Sequence, residues 1–288
     1  MEMLNERIST RNLAMKRSAL LLTILLLVTL VLIVAFQYAS GSTGDFGTQA
    51  AESKKATQQD LNDIGSIPLP PGYKRIPVDS GSFGGFLRSI RLRKNNTVYL
   101  YNGQPKLQQD LHYAVLDIST GNKDLQQCAD AIMRLRAEYF FAARQYGNIS
   151  FPGSGAKTFH FEDYARSHGG CHSHDCLLGF MEMVDAWCGT YTVATMTKPV
   201  PLNNMKPGDV LVKAGSPGHA MIVVDMALNE KTGGKIYLLA QGYMPAQDMH
   251  IVINTNNNAV SPWYELNNDE QIPTPEWLFY SNQLRRYW

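Results

Sequence analysis

Apolar and polar positions divide the chain into stretches of different period. Residues 18–36 are uncharged and almost continuously apolar. A run of this length suits one helix across a bilayer. Residues 37–66 are polar, rich in Gly, Ser, Thr, Gln and Lys, and carry no apolar period, which predicts a flexible tether. Pro68, Pro70, Pro71 and Gly72 then mark the entry to a folded domain spanning 67–288. Within it, the alternation at 98–101 running into Asn102-Gly103 predicts a strand and hairpin-type turn, and 112–118 a second strand. Cys128, Ile132, Leu135 and Tyr139 recur at helical spacing. They predict a long helix over 124–143, capped by Asp124 with Gln127 three residues on. A second helix is predicted at 177–187.

Four apolar runs follow, at 210–213, 220–226, 235–240 and 248–253, with turn-rich segments between them. They predict an antiparallel meander. Thr274-Pro275-Glu276-Trp277 has the form of a helix start, a cap followed by proline. No internal repeat is present. Helices followed by a sheet give the class α+β.

Composition and charge narrow the function. The net charge is +1 with no basic cluster, which argues against nucleic acid as a partner. Arg7, Arg11, Lys16 and Arg17 precede the apolar run, so residues 1–17 are expected in the cytoplasm, 18–36 as a signal anchor, and the domain outside. A cleaved signal peptide ending near Ala39-Ser40-Gly41 is the rival reading, although signal-peptide cores usually run about 7–15 residues. No cysteine follows the run, so a lipoprotein anchor is not expected. Four cysteines are too few for a disulfide scaffold in 288 residues.

The candidate chemistry is nucleophilic. Cys128 falls near the start of the predicted helix, where unpaired N–H groups and the macrodipole favour a thiolate. His219, between Gly218 and Ala220 at the start of a predicted strand, is placed to take the thiol proton and return it. Asp225 is too far along the same strand to orient that imidazole, about 20 Å at ~3.3 Å per residue. Gln241 ends the next strand, which a hairpin returns beside His219. Gln126 or Gln127 is placed to assist the Cys128 N–H at an oxyanion. Arg134, Tyr243 and Trp263 are further candidates for substrate contact. Arg134 also stands four residues from Glu138, as an ordinary surface pair does, and large aromatics such as Trp263 commonly pack in cores. This chemistry requires no metal or organic cofactor.

His168, Cys171, His172, His174 and Cys176 crowd a glycine-containing loop with Asp175. Zinc binding, a Cys171–Cys176 or other disulfide, and a solvated loop all fit that crowding. Asp175-Cys176 also precedes a predicted helix, which makes Cys176 a rival nucleophile.

A cysteine on a helix, Gly208-Asp209-Val210 opening one strand, Gly218-His219-Ala220 the next and a polar residue on the third resembles the papain-like fold. More narrowly it resembles NlpC-type and CHAP-type cell-wall peptidases and amidases. That resemblance implies Cys128 as nucleophile, His219 as base, Gln241 as orienting residue, and peptide or amide bonds of peptidoglycan as substrate. Those enzymes usually read Asp-Cys-Ser-Gly at the nucleophile, whereas Cys128 is followed by Ala129-Asp130. The strings Asp124-Leu125-Gln126-Gln127-Cys128-Ala129-Asp130, Arg134-Leu135-Arg136-Ala137-Glu138-Tyr139, Leu239-Ala240-Gln241-Gly242-Tyr243-Met244-Pro245-Ala246-Gln247, Ser261-Pro262-Trp263-Tyr264 and Thr274-Pro275-Glu276-Trp277 resemble a bacterial extracytoplasmic family, the domain of unknown function 4846. That family has no settled activity. The leading expectation is a membrane-anchored cysteine hydrolase of cell-wall peptides. The alternatives are an inactive papain-like binding or scaffolding domain of an envelope assembly, and a metal-binding envelope protein.

Overall fold

The computed structural model describes residues 61–153, 155 and 157–287. The expected anchor and most of the expected tether lie outside the described residues. No helix among the described residues is long and apolar enough to cross a membrane.

Among the described residues five α-helices and thirteen strands alternate unevenly. In chain order they are β1 (Tyr73–Arg75), α1 (Phe83–Arg88), β2 (His112–Val115), α2 (Cys128–Ala142), β3 (Ser150–Pro152), β4 (Thr158–His160), α3 (Phe161–Ser167), α4 (His174–Asp185) and α5 (Thr190–Thr195). There follow β5 (Thr197–Pro199), β6 (Val210–Lys213), β7 (His219–Asn229), β8 (Lys235–Gln241), β9 (His250–Val252), β10 (Tyr264–Leu266), β11 (Gln271–Pro273), β12 (Leu278–Tyr280) and β13 (Leu284–Tyr287). The class is α+β. The main sheet runs β2-β9-β8-β7-β6-β13-β5, with β1 added to β7 and β10 to β8. Its pairings are antiparallel, so the expected meander is present as β6 to β9.

Strand β7 is the axis of the domain. It is an almost unbroken apolar run because both of its faces are covered. Ala220, Ile222 and Val224 join the core built with Ile132 and Leu135 of α2 and Phe180 of α4. Met221 and Val223 join a second core with Tyr237, Leu239, Ile272 and Phe279. A bulge between Val223 and Asp225 shifts the register against β8. Past it the alternation is reset, with Met226 in the second core and Ala227 in the first. One extra residue does this because side chains on a strand have a period of two.

Asp225 sits at that bulge with no exposed surface. Arg75 Nε donates to its Oδ2 at 2.8 Å and Arg88 Nη2 to its Oδ1 at 2.5 Å. The carboxylate therefore ties β1 and α1 to β7, a structural role far from the cleft described below.

Several boundaries differ from those expected. The long helix begins at Cys128 rather than Asp124, and the second helix spans His174–Asp185. Residues 98–101 form only isolated bridges, Tyr99 with Pro105 and Leu100 with Gln247. Residues 274–277 do not start a helix. They are the turn of the β11–β12 hairpin, closed by the Thr274 N–H donating to the Trp277 carbonyl at 2.8 Å. The expected tether also ends earlier than residue 66, because Leu61 and Ile64 are buried in the larger core.

Breaking a buried ion pair by removing one partner leaves the other charges uncompensated. Asp225→Asn is therefore expected to destabilise the domain by about 3–5 kcal/mol, read by urea unfolding. An unchanged midpoint would show that the two arginines do not need the carboxylate.

Candidate active site

The first turn of α2 is built to present Cys128. Asp124 does not cap the helix. Its Oδ1 accepts the Ala246 N–H at 2.6 Å and Gln127 Nε2 at 3.2 Å, pinning the loop after β8. Gln127 is the cap residue, and its N–H donates to Asp130 Oδ2 at 3.1 Å. Cys128 is thus the first helical residue. Its sulfur lies within reach of the Ala220, Ala129 and Cys128 N–H groups, each of which favours the thiolate. Burial is the larger effect and pushes the thiol up, assisted by the charge of Asp130.

Two glycines permit the approach of helix and strands. A Cβ on Gly242 would lie 3.0 Å from both the Ala131 Cβ and the Gln127 carbonyl oxygen, so a side chain there would push the end of β8 away from the start of α2 by a few tenths of an ångström. A Cβ on Gly218 would lie 2.5 Å from the Gly215 oxygen and 2.8 Å from the Lys213 oxygen. The chain therefore reaches His219 through a turn that admits no side chain.

His219, Gln241 and His250 stand on the adjacent strands β7, β8 and β9. Gln241 pairs directly with His250. Gln241 Oε1 meets His219 Nε2 at 2.8 Å, and Gln241 Nε2 donates to Glu276 Oε2 at 2.7 Å. Glu276 is in turn bonded to Lys106, whose Nζ lies 2.7 Å from Oε1. These contacts fix the protons. A carboxylate ionised beside a lysine only accepts, so the Gln241 amide must turn its NH2 to Glu276 and its oxygen to His219. His219 must then carry its proton on Nε2. Nδ1 is left as the nitrogen free to accept one, and no protein group among the described residues hydrogen-bonds to it. The same NH2 lies 3.2 Å from His250 Nε2, which is consistent with His250 donating from Nδ1 to the Asp248 carbonyl at 2.9 Å.

Three rings box the imidazole of His219. The centroids of Tyr243, Trp277 and Phe279 lie 5.0, 5.3 and 5.7 Å away. Burial lowers the His219 pKa to about 4, against the opposing effects of Gln241 and Glu276. Burial, with the charge of Lys106 next, lowers His250 to about 3. Both histidines are neutral at pH 7, and with the thiol raised, Cys128 and His219 are both uncharged at rest.

Cys128, Gln127, His219, Tyr243 and Trp277 line one cleft of about 950 Å³. Gln241 lies behind His219, buried. The other expected contacts are elsewhere. Gln126 is buried and its Oε1 accepts from Arg134 Nη1 at 3.1 Å. Arg134 is held by Glu138 at 2.7 Å in an i,i+4 pair, is buried rather than at the surface, and does not line the cleft. Trp263 is 1% exposed and donates to the Pro68 carbonyl at 2.7 Å, so it is a core residue.

The crowded loop also resolves. Cys171 and Cys176 form a disulfide with Cα atoms 6.1 Å apart, which removes Cys176 as a rival nucleophile and both sulfurs as ligands. His168 stacks on Tyr164 at 4.0 Å, His172 pairs with Glu162 at 3.3 Å and His174 with Glu138 at 2.8 Å. Their side chains are separately engaged, and no group of three or more potential ligands is placed for a metal ion among the described residues.

Glu276, Lys106 and His250 carry no signal in the sequence that marks them as site residues. Glu276 comes to Gln241 from the hairpin at 274–277, and Lys106 from a stretch without regular structure. Neither stands in a motif that names its role.

The model of a family described as domain of unknown function (4846) matches residues 65–286. The chain belongs to that family, and the match takes in the whole cleft. No curated protein and no solved structure matches the chain.

The ionised carboxylate is what orients Gln241. In Glu276→Gln, the Gln241 amide is free to reverse, and we expect the Nε2–H tautomer of His219 to lose its dominance. Imidazole 15N chemical shifts read this directly. Shifts unchanged from the parent protein would show that Glu276 does not set the tautomer.

Proposed function

We propose that this protein is a cysteine hydrolase of amide bonds in cell-wall peptides, with a papain-like arrangement of helix and sheet. The observation that carries the reading is the convergence of Cys128, at the first position of α2, with a His219 whose proton is fixed on Nε2. In the proposed reaction Cys128 Sγ attacks the amide carbon while its proton passes to His219 Nδ1. The new C–S bond leaves a negative oxygen, toward which the Cys128 N–H and the Gln127 side-chain amide can donate. His219 returns the proton to the departing nitrogen as the C–N bond breaks. Water, deprotonated by the same nitrogen, then cleaves the thioester and releases Cys128. Gln241 holds the imidazole and Tyr243 walls the cleft beside it. With residues 18–36 as a membrane anchor, this domain would work on the outer side of a bacterial membrane, against peptidoglycan.

One observation favours a second reading, an inactive binding domain of the same architecture. Burial keeps the thiol protonated and the imidazole neutral, so no thiolate stands ready before a ligand enters. Catalysis then requires proton transfer in the same step as attack, whereas binding requires none.

Incubation of the purified full chain with peptidoglycan, followed by mass spectrometry of released peptides, separates the two. Hydrolysis predicts new amine and carboxyl ends, with release reduced at least about a hundredfold in both Cys128→Ala and His219→Ala, as for loss of a nucleophile or base. No release by the unmodified chain, or release that survives Cys128→Ala, would reject the hydrolase.

A further inference from the structure

We infer that Asp130 and Asp185, at one end of the Cys128 cleft, form a binding site for a primary ammonium group. Asp130 lies in the first turn of α2 and Asp185 is the last residue of α4; both line the cleft. The Oδ1 atom of each is buried and has no hydrogen-bond partner. Asp130 as a whole is 5% exposed. No N–H or O–H among the described residues donates to Asp185. It also sits at a helix C-terminus, where the terminal carbonyls already make the potential negative.

This is an unfavourable place for two acids. Burial raises Asp130 to about 7, and burial followed by the charge of Asp130 raises Asp185 well above the ordinary carboxylate value, against the opposing charge of Arg134. Native folds rarely leave buried polar atoms without partners, and such exceptions concentrate where ligands bind.

The surroundings select the sign and kind of ligand. Asp124, Asp130 and Asp185 are the acidic side chains lining the cleft; no lysine or arginine lines it. The guanidinium of Arg134 is committed to Glu138 and Gln126, and Lys106 to Glu276. Trp187, Tyr191 and Met244 are exposed on the rim and offer apolar contact beyond the acids. With one carboxyl ionised and the other protonated, the two carry one negative charge, which one ammonium balances. Its three N–H groups suffice for both orphaned oxygens. A divalent ion would want more donors than the pair offers.

The inference deepens the hydrolase reading, on which it rests for the ligand's role as substrate: a peptide held through an amine near the bond to be cut. The amine is either a free amino terminus or a diamino side chain, and the test tells these apart. Calorimetry on the full chain carrying Cys128→Ala would compare three probes: tetra-alanine amide, its N-acetylated form, and N-acetyl-Ala-Ala-Lys-Ala amide. We expect one amine-bearing peptide to bind at least about tenfold more tightly than the acetylated tetra-alanine, as for loss of a charge-assisted contact. The peptide that does so identifies the amine.

Asp185→Asn should remove that preference without loss of fold. Because the fold holds this carboxyl above its ordinary range, ionising it costs stability at pH 8, and asparagine removes that cost. The variant's Tm at pH 8 should stay level or rise by about 2–4 °C, with the gain fading toward pH 4. Equal affinity for all three probes, no binding by any, or a preference that survives both Asp185→Asn and Asp130→Asn would overturn the site. Amine binding in a protein whose unmodified chain cuts no wall peptide would keep the site and reject the hydrolase.

Discussion

An ionised carboxylate sets the direction of every hydrogen bond around His219. Glu276, paired with Lys106, can only accept, so Gln241 must donate to it and offer its oxygen to the imidazole. A glutamine alone would not specify this, because its two ends can exchange places. Lys106 is 8% exposed and the pair is nearly dry, so its attraction is screened little by solvent. The charge thus fixes a tautomer two residues away without placing a charge on the imidazole itself.

The rest of the fold brings this chain of groups to the thiol. Strand β7 is covered on both faces, which holds its register and so the position of His219 at its first residue. Gly242 lets the end of β8 touch the start of α2, coupling the strand that carries Gln241 to the helix that carries Cys128. At the far end, the bulge and the two arginines on Asp225 secure β1 and α1. The same strand therefore carries a polar group at each end, His219 at the cleft and Asp225 at the two arginines.

The parts of the site legible in the sequence were those tied to a regular period. Helical spacing located Cys128, and two apolar runs joined by a turn put His219 and Gln241 on neighbouring strands. Strand length also excluded Asp225, which lies with Arg75 and Arg88 instead. What could not be read depended on irregular chain. Glu276 sits in a turn whose Thr-Pro pattern resembles a helix cap, and the local sequence does not reveal that the segment is closed as a hairpin. The Asp130–Asp185 pair joins the start of one helix to the end of another, a juxtaposition created only by packing of the two helices. Choosing between Cys128 and Cys176 needed the partner of Cys171. Trp263 and Arg134 were ambiguous because aromatics and arginines serve cores and sites with the same atoms.

Burial gives Cys128 and His219 a neutral resting state, so in the proposed reaction the imidazole accepts the thiol proton during attack rather than holding a thiolate in advance. That distinction is open to measurement through the thiol itself. Iodoacetamide labelling of the intact chain, followed by peptide mass spectrometry, compares Cys128 with the other free cysteine of the described residues, Cys188. We expect Cys128 to label at least about tenfold faster at pH 7, to lose that advantage in His219→Ala, and to lose it as His219 protonates near pH 4. Equal labelling of the two cysteines, or a Cys128 rate indifferent to His219, would contradict the pairing of thiol and imidazole.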